Sequence, residues 1–310
     1  MVGKQEQIRL AVMAIFCGGH VLFDDLPGTG KTTLVKVLAR VLGSKFSRVQ
    51  FTPDLMPSDI LGMSVFNQKA GDFEIRLGPL MTNLFLADEI NRAIPRTQAA
   101  LLEAMEEQQA TIDSQTFSLP SPFLVMATQN PVEMESTFNL PIAQMDRFLI
   151  RISLGYPNHS EELKMLRVTG DEIPLDSVKQ VLDDSKVTAI QKRIREVTIN
   201  ESVLDYIVSI VEATRTDKRF RLPAGPRGSR ALYRAGKTWA AMHGRDFVTP
   251  DDIKEIALPV LCHRMTLSQE ALLEGWDDKG LMTEILSLVK APMSKEEILN
   301  KVNDPPNKKS

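Results

Sequence analysis

The stretch "DLPGTGKTTL", Asp25–Leu34, decides how the rest of the chain is read. It follows the pattern G-x-x-x-x-G-K-[ST] except at the first position, where Asp25 replaces the glycine. A loop of this kind converges backbone N–H groups on anionic oxygens, which calls for glycines. It also needs a lysine for the outer phosphates and a hydroxyl for Mg²⁺. Pro27, Gly28, Thr29 and Gly30 form the loop, Lys31 supplies the cation, Thr32 the hydroxyl, and Thr33 leads into a helix. Ahead of the loop, "HVLF" (20–23) is continuously apolar, as a strand covered on both faces should be. Behind it, Leu34, Leu38, Val41 and Leu42 keep one helical face apolar, and Gly43 is a stop signal. A strand, a loop and a helix N-terminus are the setting in which phosphate binds. The competing account is an ordinary strand-to-helix turn with a buried lysine. The missing glycine lies at the strand exit, where an aspartate can form a turn by bonding its own backbone.

Working outward, "FSRVQF" (46–51), "NLFLADE" (83–89), "FLVMATQ" (123–129) and "FLIRISL" (148–154) are further strand candidates. "TQAALLEAMEEQ" (97–108) has helical periodicity. Strands separated by helices imply a mostly parallel sheet between helices, an α/β domain over residues 1–155. After "GYPNHS" the rhythm becomes helical, most clearly in "ESVLDYIVSIVEATR" and "SRALYRAGKTWAAMHG". "VTPDDIKEIALPVL" opens on Thr249 as N-cap with Pro250 at the first helical position. The expectation is a smaller all-α domain over 156–302, with a polar, proline-bearing tail at 303–310.

"NLFLADE" is an apolar strand ending in Asp88 and Glu89, at the sheet edge where open α/β folds bind ligands. Asp88 is assigned to Mg²⁺ through water, and Glu89 to polarising the attacking water. Adjacent carboxylates are often merely solvated. Here an apolar strand precedes them and a phosphate loop lies upstream. Asn130 follows the next apolar strand, where an amide can orient water against a γ-phosphate. A plain turn before Pro131 is the alternative. No N-K-x-D guanine signature is present, which weakens a GTPase reading.

Composition sets the frame. The chain has 310 residues, 43% of them hydrophobic, and a formal charge of −3. That is enough apolar material for real cores, and too little positive charge to coat nucleic acid. Two distant cysteines, Cys17 and Cys262, fit a reducing compartment without a disulfide framework. The most apolar stretch, "LAVMAIFCGGHVLF", is too short to span a bilayer, and "MVGKQEQ" lacks the apolar core of a secretory signal. The expected location is the cytoplasm, without membrane insertion.

These elements in this order resemble an AAA+ ATPase, and most closely the MoxR family. The residues that carry the likeness are "GGHVLFDDLPGTGKT", "QFTPDLMPSDILG", "GPLMTNLFLADEINRA", "TQAALLEAMEEQQATI", "FLVMATQNPVE" and "LPIAQMDRFLIRI". In the helical half they are "AGPRGSRAL", "FVTPDDIKEIALPVLCHR" and "LSQEA". The resemblance implies ATP and Mg²⁺ as cofactors and a homo-oligomeric ring, expected to be a hexamer. It also implies a protein client, expected to carry a von Willebrand factor A domain, that is remodelled or receives a cofactor. No nucleic-acid partner is expected.

By the same resemblance, Asp25 is a family variation at the first loop position. Arg147 matches the arginine finger that contacts ATP on a neighbouring subunit, with a salt bridge to Asp146 as the plain alternative. Arg227, or less closely Arg230, matches the arginine of the helical domain that senses the γ-phosphate. Gln50 is expected to couple the Glu89 carboxylate to partner contacts. The segments at 65–80 and 108–123 resemble the family's hairpin insertions. Members usually carry a further helical segment ahead of "VGKQEQ"; here the adenine contacts are assigned to Val2 and Gly3. A DNA motor and a nucleotide-gated scaffold with little turnover remain as other functions for this outline.

Overall fold

Five short strands, three of them unbroken apolar runs, become one parallel sheet. The computed structural model describes residues 2–130, 138–169 and 175–292. The expected tail at 303–310 and Pro131 lie outside them. The chain divides into two compact units between residues 195 and 196.

In the first unit, α1 (Gln5–Cys17) precedes β1 (Val21–Asp24), α2 (Lys31–Leu42) and β2 (Phe46–Gln50). Then come the short α3 (Pro57–Leu61), the hairpin β3 (Gly62–Asn67) and β4 (Asp72–Leu77), and β5 (Leu84–Asp88). Helix α4 (Pro95–Glu107) leads to a second hairpin, β6 (Gln109–Ile112) with β7 (Gln115–Ser118), and on to β8 (Leu124–Gln129). The short α5 (Ile142–Met145) precedes β9 (Ile150–Ile152). The sheet order is β2-β5-β8-β1-β9, with every pairing parallel. Register sets Gln50 beside Asp88, Ala87 beside Ala127, and Asp24 beside Gln129. The polar ends of four strands therefore fall along one edge.

The inner strands β5, β8 and β1 are covered on both faces, which is why they read as unbroken apolar runs, whereas the edge strands β2 and β9 carry polar residues. Leu22, Phe85, Ala87, Val125 and Ala127 pack with Leu101, Leu102 and Met105 of α4 in one core cluster. Their alternating neighbours Val21, Phe23, Leu86 and Met126 are buried as well. Helix α2 buries Leu34, Val35, Leu38, Ala39 and Leu42 on one stripe. It ends at Gly43, whose φ of +63° is the left-handed cap that glycine supplies without strain.

Residues beyond β9 differ from the expected boundary at 155/156. Helices α6 (His159–Thr169) and α7 (Asp184–Ile194) belong to the first unit. The cause is bonding between segments remote in sequence. Gln191 Nε2 donates to the Ile15 carbonyl at 2.8 Å, and the backbone N–H groups of Val181 and Leu182 both donate to the Val41 carbonyl. A change of sequence rhythm marks where the sheet ends, not where packing ends.

The second unit is helical. It contains α8 (Glu201–Thr216), β10 (Phe220–Leu222), α9 (Pro226–Met242), α10 (Pro250–Leu261), β11 (Thr266–Leu267), α11 (Gln269–Leu273) and α12 (Asp278–Leu288). The β10–β11 antiparallel pair is too short to leave a period-2 signature, so the sequence reads as all-helical there. Tyr206, Ile210, Leu232, Trp239, Ile256 and Leu281 are among its buried residues. The N-cap expected at Thr249 is present: its hydroxyl accepts from Asp252 N, and Asp252 answers by accepting from Thr249 N at 2.8 Å. Among the described residues, no helix is long and apolar enough to cross a membrane.

Candidate active site

A cavity of about 380 Å³ opens at the polar strand ends. Residues 27–33, Arg48, Gln50, Asp88, Glu89, Thr128, Gln129 and Asn130 line it. The structure thus brings together the loop, Lys31, Thr32, Thr33, both carboxylates and Asn130, which are remote in sequence.

The loop geometry explains its residue types. Gly28 and Gly30 have φ of +80° and +88°, conformations that an L side chain adopts only with strain. Asp25 has no such conformation, so a glycine is not required there. Instead its buried carboxylate accepts three backbone N–H groups. Oδ2 takes Leu154 at 2.7 Å and Gly155 at 2.8 Å, and Oδ1 takes Leu26 at 3.0 Å. Asp25 therefore ties the entrance of the loop to the chain leaving β9.

Lys31 Nζ donates to the carbonyls of Asp25 and Leu26, at 2.8 and 2.7 Å. Burial is the largest influence on its pKa and holds it below the ordinary lysine value, against the opposing pull of Asp25, Asp88, Glu89 and Asp24. A partly desolvated ammonium held by two carbonyl oxygens is poised to exchange them for anionic ones.

The two carboxylates are held differently. Asp88 is buried and accepts the Thr128 hydroxyl on Oδ1 at 2.7 Å. On Oδ2 it accepts Arg48 Nε at 2.9 Å, with a second guanidinium nitrogen at 2.8 Å. Thr128 also accepts the Glu89 backbone N–H at 2.8 Å. Glu89 itself has φ of +55°, unusual for a side chain with a Cβ and a mark of a constrained position. Its Oε2 accepts Gln50 Nε2 at 2.7 Å and Arg92 at 2.9 Å. Asn130 is buried, and Asn91 brackets its backbone from both sides, at 3.2 and 3.5 Å.

The donor set suits a magnesium–phosphate group. The loop offers N–H groups at a helix N-terminus for phosphate. Thr32 and Asp88 offer hard oxygen ligands of the kind magnesium takes.

Other expected residues lie elsewhere. Val2 and Gly3 do not line this cavity; a Cβ at Gly3 would meet the Glu161 side chain. Arg147 does not line it either, and its Nε pairs with Glu106 of α4 at 2.8 Å. Arg227 belongs to the second unit, exposed in the first turn of α9.

Sequence reasoning missed Arg48, Thr128, Gln129 and Arg92. One signal was available. In β2, Arg48 and Gln50 stand two apart and so share a face, and two long polar side chains side by side at a strand's end are a signal of a shared partner.

The family model described as "ATPase family associated with various cellular activities (AAA)" matches residues 20–150, and an AAA lid domain model matches 212–285. A Bacillus subtilis (strain 168) protein named YeaC is 46% identical over 298 residues, covering 96% of this chain and 93% of its own. Chaperone MoxR1 of Mycobacterium tuberculosis is 38% identical, covering 94% and 79% respectively. Protein MoxR of Methylorubrum extorquens is 32% identical, covering 86% and 84%. A solved crystal structure from Cytophaga hutchinsonii superposes with a TM-score of 0.87 at 40% identity, covering 94% of this chain and 92% of that one.

Proposed function

Because this chain belongs to the MoxR family of AAA ATPases, we propose that its cavity binds Mg²⁺·ATP and hydrolyses it to ADP and phosphate. The observation that carries this reading is the convergence of Lys31, Thr32, Asp88, Glu89 and Asn130 on one cavity at the end of a parallel sheet.

The geometry supports the following roles for the loop and strand-end residues. Backbone N–H groups of residues 28–32 bind the phosphates, with Lys31 exchanging the Asp25 and Leu26 carbonyls for phosphate oxygens. Thr32 and Asp88 would hold magnesium, which when bound neutralises charge on the outer phosphates. Glu89 accepts the proton of the attacking water once Gln50 and Arg92 yield its Oε2. Asn130, fixed through Asn91, orients that water. Arg147 serves the site of a neighbouring subunit, a role consistent with its position outside its own cavity. For Arg227, the role of sensing the γ-phosphate rests on the family resemblance alone.

The larger proposal is a homo-oligomeric ring, hexameric as the resemblance implies, working in the cytoplasm. It would use hydrolysis to remodel a protein client or insert a cofactor into it. A von Willebrand factor A domain is the proposed client module. A relative named as a chaperone supports this direction.

The test separates binding from chemistry. A fluorescent ATP analogue is titrated into Lys31→Ala and Glu89→Gln. Lys31→Ala should lose binding, and Glu89→Gln should keep it. If Glu89→Gln binds no better than Lys31→Ala, the division of labour is wrong.

A further inference from the structure

Arg48 sits in the cavity with no role in the scheme above. Its guanidinium converges on a single carboxylate oxygen, Asp88 Oδ2, through two nitrogens at 2.9 and 2.8 Å. The other oxygen, Oδ1, is taken by Thr128. The Asp88 side chain is 12% exposed, whereas that of Arg48 is 44% exposed. The buried partner is fixed and the exposed partner has room to leave. Arg48 also donates to Gln50 Oε1 at 3.1 Å, and Gln50 passes the link to Glu89. One guanidinium therefore touches the carboxylate assigned to the metal and, through one amide, the carboxylate assigned to water.

We propose that Arg48 is an internal counter-cation of Asp88, which a divalent metal must displace and which phosphate oxygens then receive. This rests on Asp88 being the metal's carboxylate. A guanidinium on Oδ2 and a hydrated dication held by the same carboxylate through water repel each other across a short distance in a partly desolvated site, so the two compete for Asp88. Metal alone faces this competitor. A nucleotide bound together with the metal offers the displaced guanidinium new partners, for which its planar fork of donors is well suited. Arg48 thus makes metal and nucleotide bind cooperatively. It is a positioning residue, and the same movement removes the Arg48 contact from Gln50, loosening the amide that holds Glu89.

The test reads metal binding directly, using Mn²⁺ followed by electron paramagnetic resonance on the full chain, with and without saturating ADP. Arg48→Met should bind Mn²⁺ without nucleotide roughly tenfold or more tighter than wild type, and the enhancement by ADP should shrink correspondingly. Arg48→Lys, which keeps the charge and loses the fork, should fall between the two and guards against a variant that folds poorly. Asp88→Asn separates the premises. If Asp88→Asn weakens Mn²⁺ binding with ADP while Arg48→Met and Arg48→Lys match wild type without it, the counter-cation role is wrong and the metal assignment stands. If Asp88→Asn leaves Mn²⁺ binding with ADP unchanged, the metal assignment itself fails and takes the proposal with it.

Discussion

Replacing Asp25 by glycine would complete the phosphate-loop pattern, and we predict that it damages the protein. The structure gives the reason. The carboxylate accepts N–H groups from Leu26, Leu154 and Gly155, and both Asp25 and Leu154 are buried. Each bond to a charged acceptor contributes about 1.5–3 kcal/mol, and a buried N–H left without a partner costs about 1–3 kcal/mol. Desolvation of the carboxylate offsets part of this, so the net loss is well below the sum. The expected destabilisation is about 2–4 kcal/mol for Asp25→Ala. For Asp25→Gly it is about 0.5–1 kcal/mol more, from the added freedom of the unfolded chain. Asp25→Asn, which keeps one acceptor oxygen, should lose about 1–2 kcal/mol. Scanning calorimetry resolves the consequence: for a unit of this size the Asp25→Ala transition should fall by roughly 5–15 °C. If Asp25→Gly melts with wild type, Asp25 is a neutral replacement of the glycine and the clamp on Leu154 and Gly155 carries no energy.

Three further outcomes follow from the same geometry. If Arg147 acts in trans, Arg147→Ala alone should hydrolyse ATP poorly, by the roughly 10³–10⁵ in rate that arginine fingers contribute, and Lys31→Ala alone should fail because it does not bind ATP. Rings mixed from the two should regain activity, and exchange of subunits without any recovery would remove the trans role. DNA, single- or double-stranded, should not stimulate phosphate release at physiological salt, given the net charge of −3; stimulation that weakens steeply with salt would favour a DNA motor. Asp252→Asn should destabilise the second unit by about 2–3 kcal/mol near neutral pH, by breaking the Arg245 pair and the helix cap. Burial raises the Asp252 pKa, but bonds from Arg245 and Thr249 outweigh it and leave the group below the ordinary aspartate value. Its contribution is therefore present above the unfolded value and lost as pH falls through the lower folded one. Urea titrations should show the gap between variant and wild type closing with acid.

The sheet was legible because its three inner strands are buried on both faces, so "HVLF", "LFLAD" and "FLVMAT" are apolar without interruption. The core of the site was legible for a related reason. Gly28 and Gly30 are forced by backbone conformation, and Asp88 and Glu89 are conspicuous after an apolar strand. What escaped notice depends on contacts distant in sequence. Thr128 joins Asp88 to the Glu89 backbone, and nothing local in "MATQ" announces it; Arg48 reaches Asp88 from the neighbouring strand, and in "FSRVQ" only its i, i+2 spacing to Gln50 hints at a shared polar face. The purpose of Asp25 lay in Leu154 and Gly155, on the far side of the sheet sequence. The β10–β11 pair and the placement of α7 depend on tertiary bonding that periodicity cannot express.

Single-turnover phosphate release is the measurement closest to the central claim. Protein in excess is loaded with ATP, magnesium is added, and free phosphate is followed in time. Wild type should convert its bound ATP to ADP and phosphate. Glu89→Gln, carrying the same amount of bound ATP, should release phosphate about 10²–10⁴ times more slowly, the contribution of a positioned general base. Bound ATP that stays intact on the wild-type protein, or a Glu89→Gln rate equal to wild type, would contradict a hydrolytic site built on Glu89.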